Sequence, residues 1–219
     1  LSGTLTYRLK YAYGQINLDD LANTPFRKLE QWHGSWIRLG MQQTPVIDYL
    51  ETIYRYRFQG TVFPDREGFL SSSDLGVSAH LVFPGNFGDI HVGGYNGETY
   101  TAPEANDQKA IEGRLTIRPL PMVPILRGLR LTGFYDHDHY VMDARRDRGV
   151  IDLSFENPCL NFGAMYLKAK DQNASASKPE VIAEGYSVWA TPRTPFGLEA
   201  LALQVRAIDK RVDRRRIRE

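Results

Sequence analysis

Apolar and polar residues alternate with a period of two over ten short stretches of this chain. In the first stretch, from Thr4 to Tyr13, the odd positions are apolar or aromatic and four of the five even positions are polar. Alternate residues of a β-strand point to opposite faces, whereas an amphipathic helix repeats every 3.6 residues. The pattern therefore predicts an all-β fold of about ten strands, each with one apolar face.

The connections between these predicted strands differ in length. From the third connection onward, short turns such as Pro84-Gly85-Asn86 and Asn157-Pro158 alternate with longer polar loops, one of them over residues 137–147. Short turns at one end and long loops at the other are typical of outer-membrane barrels, whose strands span with about 9–11 residues. We therefore expect a transmembrane antiparallel up-and-down β-barrel, of which about ten strands are present as part of a larger barrel.

Aromatic residues make up 11% of the chain, and its tryptophans fall near predicted short turns. Indole rings favour the interface between lipid and water. We therefore expect Trp32, Trp36 and Trp189 to belong to an aromatic girdle, with ordinary core packing as the alternative. The predicted location is the bacterial cell outer membrane, with its lipid as a partner.

Charge is unevenly distributed along the chain. The formal net charge is +1, but residues 206–219 hold seven Lys or Arg against three Asp or Glu. We assign residues 1–209 to the barrel segment and residues 210–219 to a basic tail outside it. The rest of the chain has no basic patch with interleaved aromatic residues, so no nucleic-acid partner is expected. The chain begins at Leu1 without a signal peptide, and we expect it to be a mature piece or a fragment.

Several short segments carry a further signal, above all the Gln-Thr-Pro at the end of one predicted strand and the Tyr-Asn-Gly at the end of another. The segments are residues 7–13, 37–45, 56–68, 72–77 and 92–98. Together they resemble outer-membrane porins of the phosphate-selective porin family. The resemblance implies a homotrimer of barrels with about sixteen or more strands, which pass small solutes passively and without a cofactor. It does not imply phosphate as the solute, and the chain differs from the family in lacking an aromatic-ended closing strand.

If the apolar residues face lipid, the alternate residues line the lumen. The predicted pore-lining residues are Arg8, Lys10, Arg38, Arg114, Arg118, Arg130, Glu112 and Asp136, and Arg148, Arg206, Asp152 and Glu156 fall on the same side. Basic residues outnumber acidic ones in this set. Because rings of charge set pore selectivity, we expect a mild anion preference, with small anionic or polar solutes as partners. The alternative is that several charges pair across strands, Arg114 with Asp152 for example, and cancel.

A long segment, residues 43–72, interrupts the strand pattern. Apolar positions between residues 46 and 54 fit a short amphipathic helix, and the segment is too long for a structureless hairpin loop. It resembles a constriction loop folded into a pore, where it would present Arg55, Arg57 and Arg66. The alternative is a packing loop that fills space or contacts a neighbouring subunit.

The motif Asp136-His137-Asp138-His139 is the strongest candidate for a metal site. Neighbouring residues of a strand point to opposite sides, so only two of the four share a side, fewer than zinc requires. We interpret the motif as a polar outer loop and expect no metal. The chain has no nucleophile elbow and no phosphate-binding loop, so we expect no enzymatic activity. The alternative function is a soluble β-barrel or sandwich that binds a ligand, with its apolar face inside; an outer-membrane enzyme is a third class.

Overall fold

Ten antiparallel strands form one sheet in the computed structural model, which describes residues 8–21, 33–101, 107–141, 144–172, 180–194 and 203–213. The strands are β1 (Ala12–Asn17), β2 (Trp36–Gln43), β3 (Ser73–Val82), β4 (Gly88–Tyr95), β5 (Ala110–Ile117), β6 (Leu129–Val141), β7 (Ala144–Glu156), β8 (Leu160–Asp171), β9 (Glu180–Pro192) and β10 (Leu203–Asp213). Each strand pairs with its neighbours in sequence. The predicted all-β, antiparallel, up-and-down arrangement is therefore confirmed.

The two edges of the sheet stay apart. Within the described residues, β1 pairs only with β2 and β10 only with β9, so the sheet is open and not closed into a barrel. Strand β10 extends into the predicted basic tail, because Lys210–Asp213 pairs with Glu180–Ala183 of β9. Residues 214–219 lie outside the described part of the chain.

The two faces of the sheet differ in chemistry. We call the face with exposed apolar side chains the outer face and the opposite one the inner face. The exposed apolar residues of the outer face are Ile37, Leu39, Leu75, Val77, Val92, Ile111, Leu115, Ile117, Leu131, Ile151, Leu153 and Tyr186. The inner face carries the alternate positions, which include Arg38, Ser78, His91, Glu112, Arg114, Thr116, Thr132, Asp136, Arg148, Asp152, Ser154 and Ser187. In β2 and β3 the odd-numbered apolar residues lie on the outer face, as the alternation predicts.

In β1 the register differs from the predicted one. Ile16 pairs with a residue of the outer face, and Tyr13 lies on the inner face opposite Gly40. The guanidinium carbon of Arg38 lies 4.7 Å from the centre of the Tyr13 ring. Gly40 has a φ of 126°, and a Cβ atom there would lie 2.9 Å from the Tyr13 Cα, so the close approach of the two strands requires glycine. The cation–π contact with Arg38 then favours the inward position of the Tyr13 ring. The tyrosine therefore turns inward.

Strands β6 and β7 are separated only by residues 142–143, so the long loop predicted there is wrong. Asp136 and Asp138 lie buried on the inner face, while His137 lies on the outer face. Because both faces of the strand are polar here, the sequence shows no apolar–polar alternation from which a strand could be predicted. In the structure the outer polar residues satisfy each other, since His137 Nδ1 lies 2.7 Å from Asp147 Oδ1.

The connection between β2 and β3, residues 44–72, folds across the inner face; we call it the inward segment. It contains two α-helices, α1 (Pro45–Ile53) and α2 (Phe63–Arg66), and a 3-10 helix over Arg57–Gln59 between them. Pro45 is the first residue of α1. A backbone N–H at this position has no acceptor within the helix, so the N–H that proline lacks costs no helical hydrogen bond. The predicted short helix is therefore present. No helix in the described residues is long and apolar enough to cross a membrane.

The buried apolar core lies between the inward segment and the inner face of β6–β9. The segment contributes Val46, Ile47, Tyr49, Leu50, Ile53, Tyr54, Tyr56, Val62 and Phe63, and the strands contribute Phe134, Val150, Met165, Leu167, Ala169, Ala183 and Trp189. The hydrophobic effect thus holds the segment against one half of the sheet. The other half of the inner face remains polar.

Two of the three tryptophans lie on the inner face and not in an outer girdle. Trp189 is buried against Tyr54, with ring centres 5.4 Å apart, and Trp36 stacks on His80 at 5.2 Å. The predicted girdle is therefore wrong for both rings, because core packing and stacking on histidine take them inward. Trp32 lies outside the described residues.

Candidate functional site: the charged inner face under the inward segment

Polar contacts fix helix α1 above the sheet. Asn161 Nδ2 on β8 donates a hydrogen bond to the carbonyl oxygen of Ile53 at 2.9 Å. The Tyr49 hydroxyl lies 3.2 Å from Ser154 Oγ on β7. Burial, and next the negative charge of Asp152, raise the pKa of Tyr49, which keeps its hydroxyl protonated. The helix is therefore held at a defined depth over the polar face.

Arg114 on β5 is the most buried cation facing α1. Its Nη2 lies 2.5 Å from Asp89 Oδ2 on β4, and its guanidinium carbon lies 4.7 Å from the centre of the Tyr49 ring. Asp89 also contacts His80, whose Nε2 is 3.1 Å away. Pairing across strands, the alternative raised for these charges, therefore occurs at Arg114, but with Asp89 on the neighbouring strand and not with Asp152.

Arg38 on β2 belongs to a second, aromatic arrangement. Its guanidinium carbon lies 3.7 Å from the ring centre of Trp36, and its Nε donates to Gln15 Oε1 at 2.6 Å. The Trp36 ring also meets His80 and His91, with centres 5.2 and 4.9 Å apart. A planar guanidinium stacked on an indole keeps its charge while it packs against an apolar surface.

Asp48 of α1 is the carboxylate that faces these two arginines. Burial raises its pKa, while the positive charges of Arg38 and Arg114, and then His80, act in the opposite direction. The balance is a raised pKa, because removal from water disfavours the charged form more than the arginines favour it. The charge of this carboxylate is therefore sensitive to acidification.

A third group of charges surrounds Glu156 near the short turn between β7 and β8. Arg55 of the inward segment pairs with Glu156, and Arg130 and Arg193 lie 3.4 and 3.7 Å from its carboxylate. Burial lowers the pKa of Arg118, and the next cause is repulsion from Arg130. Several arginines thus gather around one glutamate, which leaves a net positive field at this end of the sheet.

The predicted pore-lining residues fall into two sets. Arg38, Glu112, Arg114, Arg130 and Asp136 lie on the inner face of the sheet, and Arg118 follows β5 directly. Arg8 and Lys10 precede β1, so the strand alternation assigns them to neither face of the sheet. The Lys10 ammonium nitrogen lies 5.3 Å from the centre of the Tyr11 ring, and Arg8 is exposed. The side chain of Arg206 lies outside the described residues.

The three arginines predicted for a constriction do not gather. Arg55 joins the group around Glu156, whereas Arg57 pairs with Glu51 of the inward segment itself at 2.8 Å. Arg66 is exposed at the end of α2. The segment does fold inward, but its path turns these side chains in different directions.

Tyrosines of the outer face were missed by sequence reasoning. Tyr135, Tyr166 and Tyr186 stand where the apolar outer face gives way to charged residues such as Lys168 and Glu184. The rings of Tyr166 and Tyr186 have centres 5.0 Å apart. Their positions in the alternation were visible, but the pairing of Tyr166 with Tyr186 depends on strand register, which the sequence pattern does not contain.

The residues described in the structure include no group of three or more His, Cys, Asp or Glu side chains placed to hold a metal ion. Comparisons with protein-family models, with curated proteins and with solved structures found no match to this chain.

Proposed function

We propose that this chain forms part of the wall of an outer-membrane β-barrel porin, through which small hydrophilic solutes diffuse passively with a mild preference for anions. The observation that carries the proposal is the two-faced sheet: an exposed apolar outer face backs a charged inner face that the inward segment crosses. A barrel wall in lipid has this arrangement, because its outer side chains meet hydrocarbon and its inner ones meet water.

The outer face supports the membrane location. Leu39, Ile111 and Ile151 are 69%, 65% and 58% exposed, and they belong to one continuous apolar surface. Soluble monomers rarely leave an apolar patch wider than a few hundred Å² in contact with water. Lipid would cover this surface, and the tyrosines at its border would meet the headgroups. In the soluble alternative the apolar face would be inside, so the geometry favours the membrane wall.

The open edges support a larger assembly. Backbone N–H and C=O groups at an edge strand cannot remain unpaired in hydrocarbon. We therefore propose that further strands complete the barrel beyond β1 and β10. The family resemblance adds the homotrimer to the proposal.

The charges of the inner face support a mild selectivity. Two groups of arginines, one with Arg38 and Arg114 beside two aspartates and one around Glu156, face the space beside the inward segment. Carboxylates such as Glu112 and Asp136 lie on the same face and oppose them. Opposing rings of charge bias the passage of ions without excluding either sign. No catalytic step is part of the proposal.

The test is a measurement in planar lipid bilayers with the complete chain. We expect stepwise conductance and, under a salt gradient, a reversal potential of the sign produced by a small excess of anion current. A heat-denatured sample in the same detergent is the control. A chain that is monodisperse without detergent and never produces conductance steps would contradict the proposal, whereas a cation-selective channel would contradict only the anion preference.

A further inference from the structure

Glu112 and Asp136 form a pair of like charges on the inner face. They are directly opposite each other on β5 and β6, and their side chains are only 7% and 4% exposed. Glu112 Oε2 and Asp136 Oδ1 have no hydrogen-bond partner. Like charges opposite each other destabilise a sheet, and a buried carboxylate without a partner is costly. The protein's own side chains do not compensate the charge of this pair, so a bound ligand or a shared proton must do so.

Two arginines lie near the pair, and one of them, Arg146, lines the same cavity, but the hydrogen bonds of both go to other groups. Arg146 pairs with Asp138 and donates to the carbonyl oxygen of Gly97 at 3.3 Å. Arg148 pairs with Asp171 at 2.6 Å and donates to the carbonyl oxygen of Phe69 at 3.1 Å. Among the described residues, no ion pair or hydrogen bond reaches Glu112 or Asp136. The arginines act on the pair only through space, so the unpartnered oxygens of both carboxyl groups can accept a ligand.

Both carboxyl groups line a polar cavity of about 270 Å³ between the sheet and the inward segment. This volume holds roughly nine water molecules at about 30 Å³ each. Asp65 of the inward segment lines the opposite side, and Asp74 lines it from β3. The Asp74 carboxylate accepts hydrogen bonds from the backbone N–H groups of Leu75 and Gly97, both at 2.7 Å. The unpartnered oxygens of the cavity thus belong to Glu112 and Asp136.

We propose that this cavity binds a hydrated divalent metal cation, with Glu112 and Asp136 as its direct ligands. Since no third carboxylate or histidine of the described residues is placed to ligate with them, water completes the coordination shell. This mode suits Mg²⁺-like ions, which keep several waters and bind through one or two carboxylates. Through its waters the ion would connect the sheet to Asp65, so it would also steady the inward segment. The proposal goes beyond passive diffusion and does not depend on the membrane location.

The test uses Mn²⁺ as the probe, because the electron paramagnetic resonance signal of the free ion decreases on binding. Titration of the complete, folded chain at neutral pH should show one saturable site from which Mg²⁺ displaces Mn²⁺. The double variant Glu112→Gln with Asp136→Asn should bind Mn²⁺ about tenfold more weakly or worse. Asp152→Asn is the matched control: this carboxyl is buried on the same face and has an unpartnered oxygen, but it lines a separate cavity of about 20 Å³ under α1, and the variant should bind normally.

Single variants, Glu112→Gln and Asp136→Asn, keep the test valid if the double variant does not fold, with circular dichroism as the check on folding. Absence of saturable Mn²⁺ binding by the folded chain would overturn the proposal. Unchanged Mn²⁺ binding by the folded variants would overturn it as well. In either case, a proton shared between the two carboxyl groups would compensate their charge. The bilayer measurement separates the two proposals. Channels without Mn²⁺ binding contradict only the cation site, and Mn²⁺ binding without channels contradicts only the porin.

Discussion

Arg114 holds its positive charge where almost none of its side chain touches solvent. Asp89 supplies the countercharge, and the ring of Tyr49 covers one side of the guanidinium. Little water screens this site, so the part of the charge that Asp89 does not offset acts on ions that pass nearby. The residue therefore combines two roles, one in stability and one in the proposed selectivity.

We expect Arg114→Gln to weaken anion preference and to destabilise the fold by about 3–5 kcal/mol, because Asp89 would be left buried without its arginine. Reversal potential and chemical denaturation measure the two effects. Adding Asp89→Asn should recover much of the stability but not the selectivity. Arg127→Gln, in the exposed turn between β5 and β6, is the control and should change neither. An unchanged reversal potential in Arg114→Gln would place this charge away from the ion path.

Asp48 gives the proposed channel a pH dependence. Burial raises its pKa above the ordinary 3.8, so its carboxylate takes up a proton earlier on acidification than an exposed aspartate would. Protonation removes a negative charge that faces Arg38 and Arg114. Anion preference should therefore increase as the pH falls from neutral towards the ordinary aspartate range.

In Asp48→Asn the negative charge is already absent, so anion preference should be higher at neutral pH and should change less on acidification. The measurement is the reversal potential across this pH range, with Asp20→Asn as the exposed control. If Asp48→Asn and the unmodified chain give the same profile, another carboxyl group is responsible.

Alternation alone is sufficient to predict that Arg38, Arg114 and Arg130 share a face, because side-chain direction follows from a period of two. It is not sufficient to predict their partners. The Arg114–Asp89 pair depends on the register between β4 and β5, and apolar patterning fixes faces more firmly than it fixes neighbours.

At the scale of elements, the inward segment decides the shape of the inner face. Its helix was predictable from apolar spacing, but its docking site on β6–β9 was not read from the sequence. A signal existed: Phe134, Val150 and Leu167 are apolar at positions where the alternation calls for polar residues. Apolar residues on both faces of a strand indicate that both faces are covered. On the inner face of these strands, the cover is the inward segment.

Gly185 on β9 makes room for the inward segment. A Cβ atom at this position would lie 2.7 Å from Cζ of Phe63, the first residue of α2. We expect Gly185→Val to push α2 away and to lower the free energy of unfolding by about 1–3 kcal/mol. Gly133→Val is the matched control, because a Cβ there meets no atom within 4 Å, and it should stay within about 0.5 kcal/mol. Equal stability of the two variants in denaturant would mean that α2 does not pack against Gly185.

At the scale of the whole molecule, the decisive property is the contrast between the two faces. Strand order followed from the sequence, because up-and-down neighbours need no long-range information. The extension of β6 and β7 through residues 137–147 did not, since polar side chains on both faces of a strand resemble the composition of a loop. Closure also did not follow, because it depends on what meets the edges of β1 and β10.

One substitution on the outer face distinguishes a sheet embedded in lipid from a sheet surrounded by water. Leu115→Lys on this face should be nearly neutral if water surrounds the sheet, as surface changes usually are. In a lipid-embedded barrel it should lower the free energy of unfolding by about 2–4 kcal/mol near the membrane centre. Leu120→Lys, in the exposed turn after β5, is the control and should cost little in either case. Reversible unfolding from lipid vesicles measures both variants, and equal values for the two would contradict the membrane-facing assignment of Leu115.

The contacts of helix α1 imply an order of events during folding. Each strand pairing joins neighbours in sequence, but Tyr49 meets Ser154 across 105 residues and Ile53 meets Asn161 across 108. Closing such long intervals is slow compared with forming hairpins, and the surface that receives α1 does not exist until β6–β9 have assembled. The inward segment should therefore dock last. Burial of Trp189 should appear as a late phase in the tryptophan fluorescence, behind the β-sheet signal in circular dichroism, so the sheet acquires its interior only after its strands are in place.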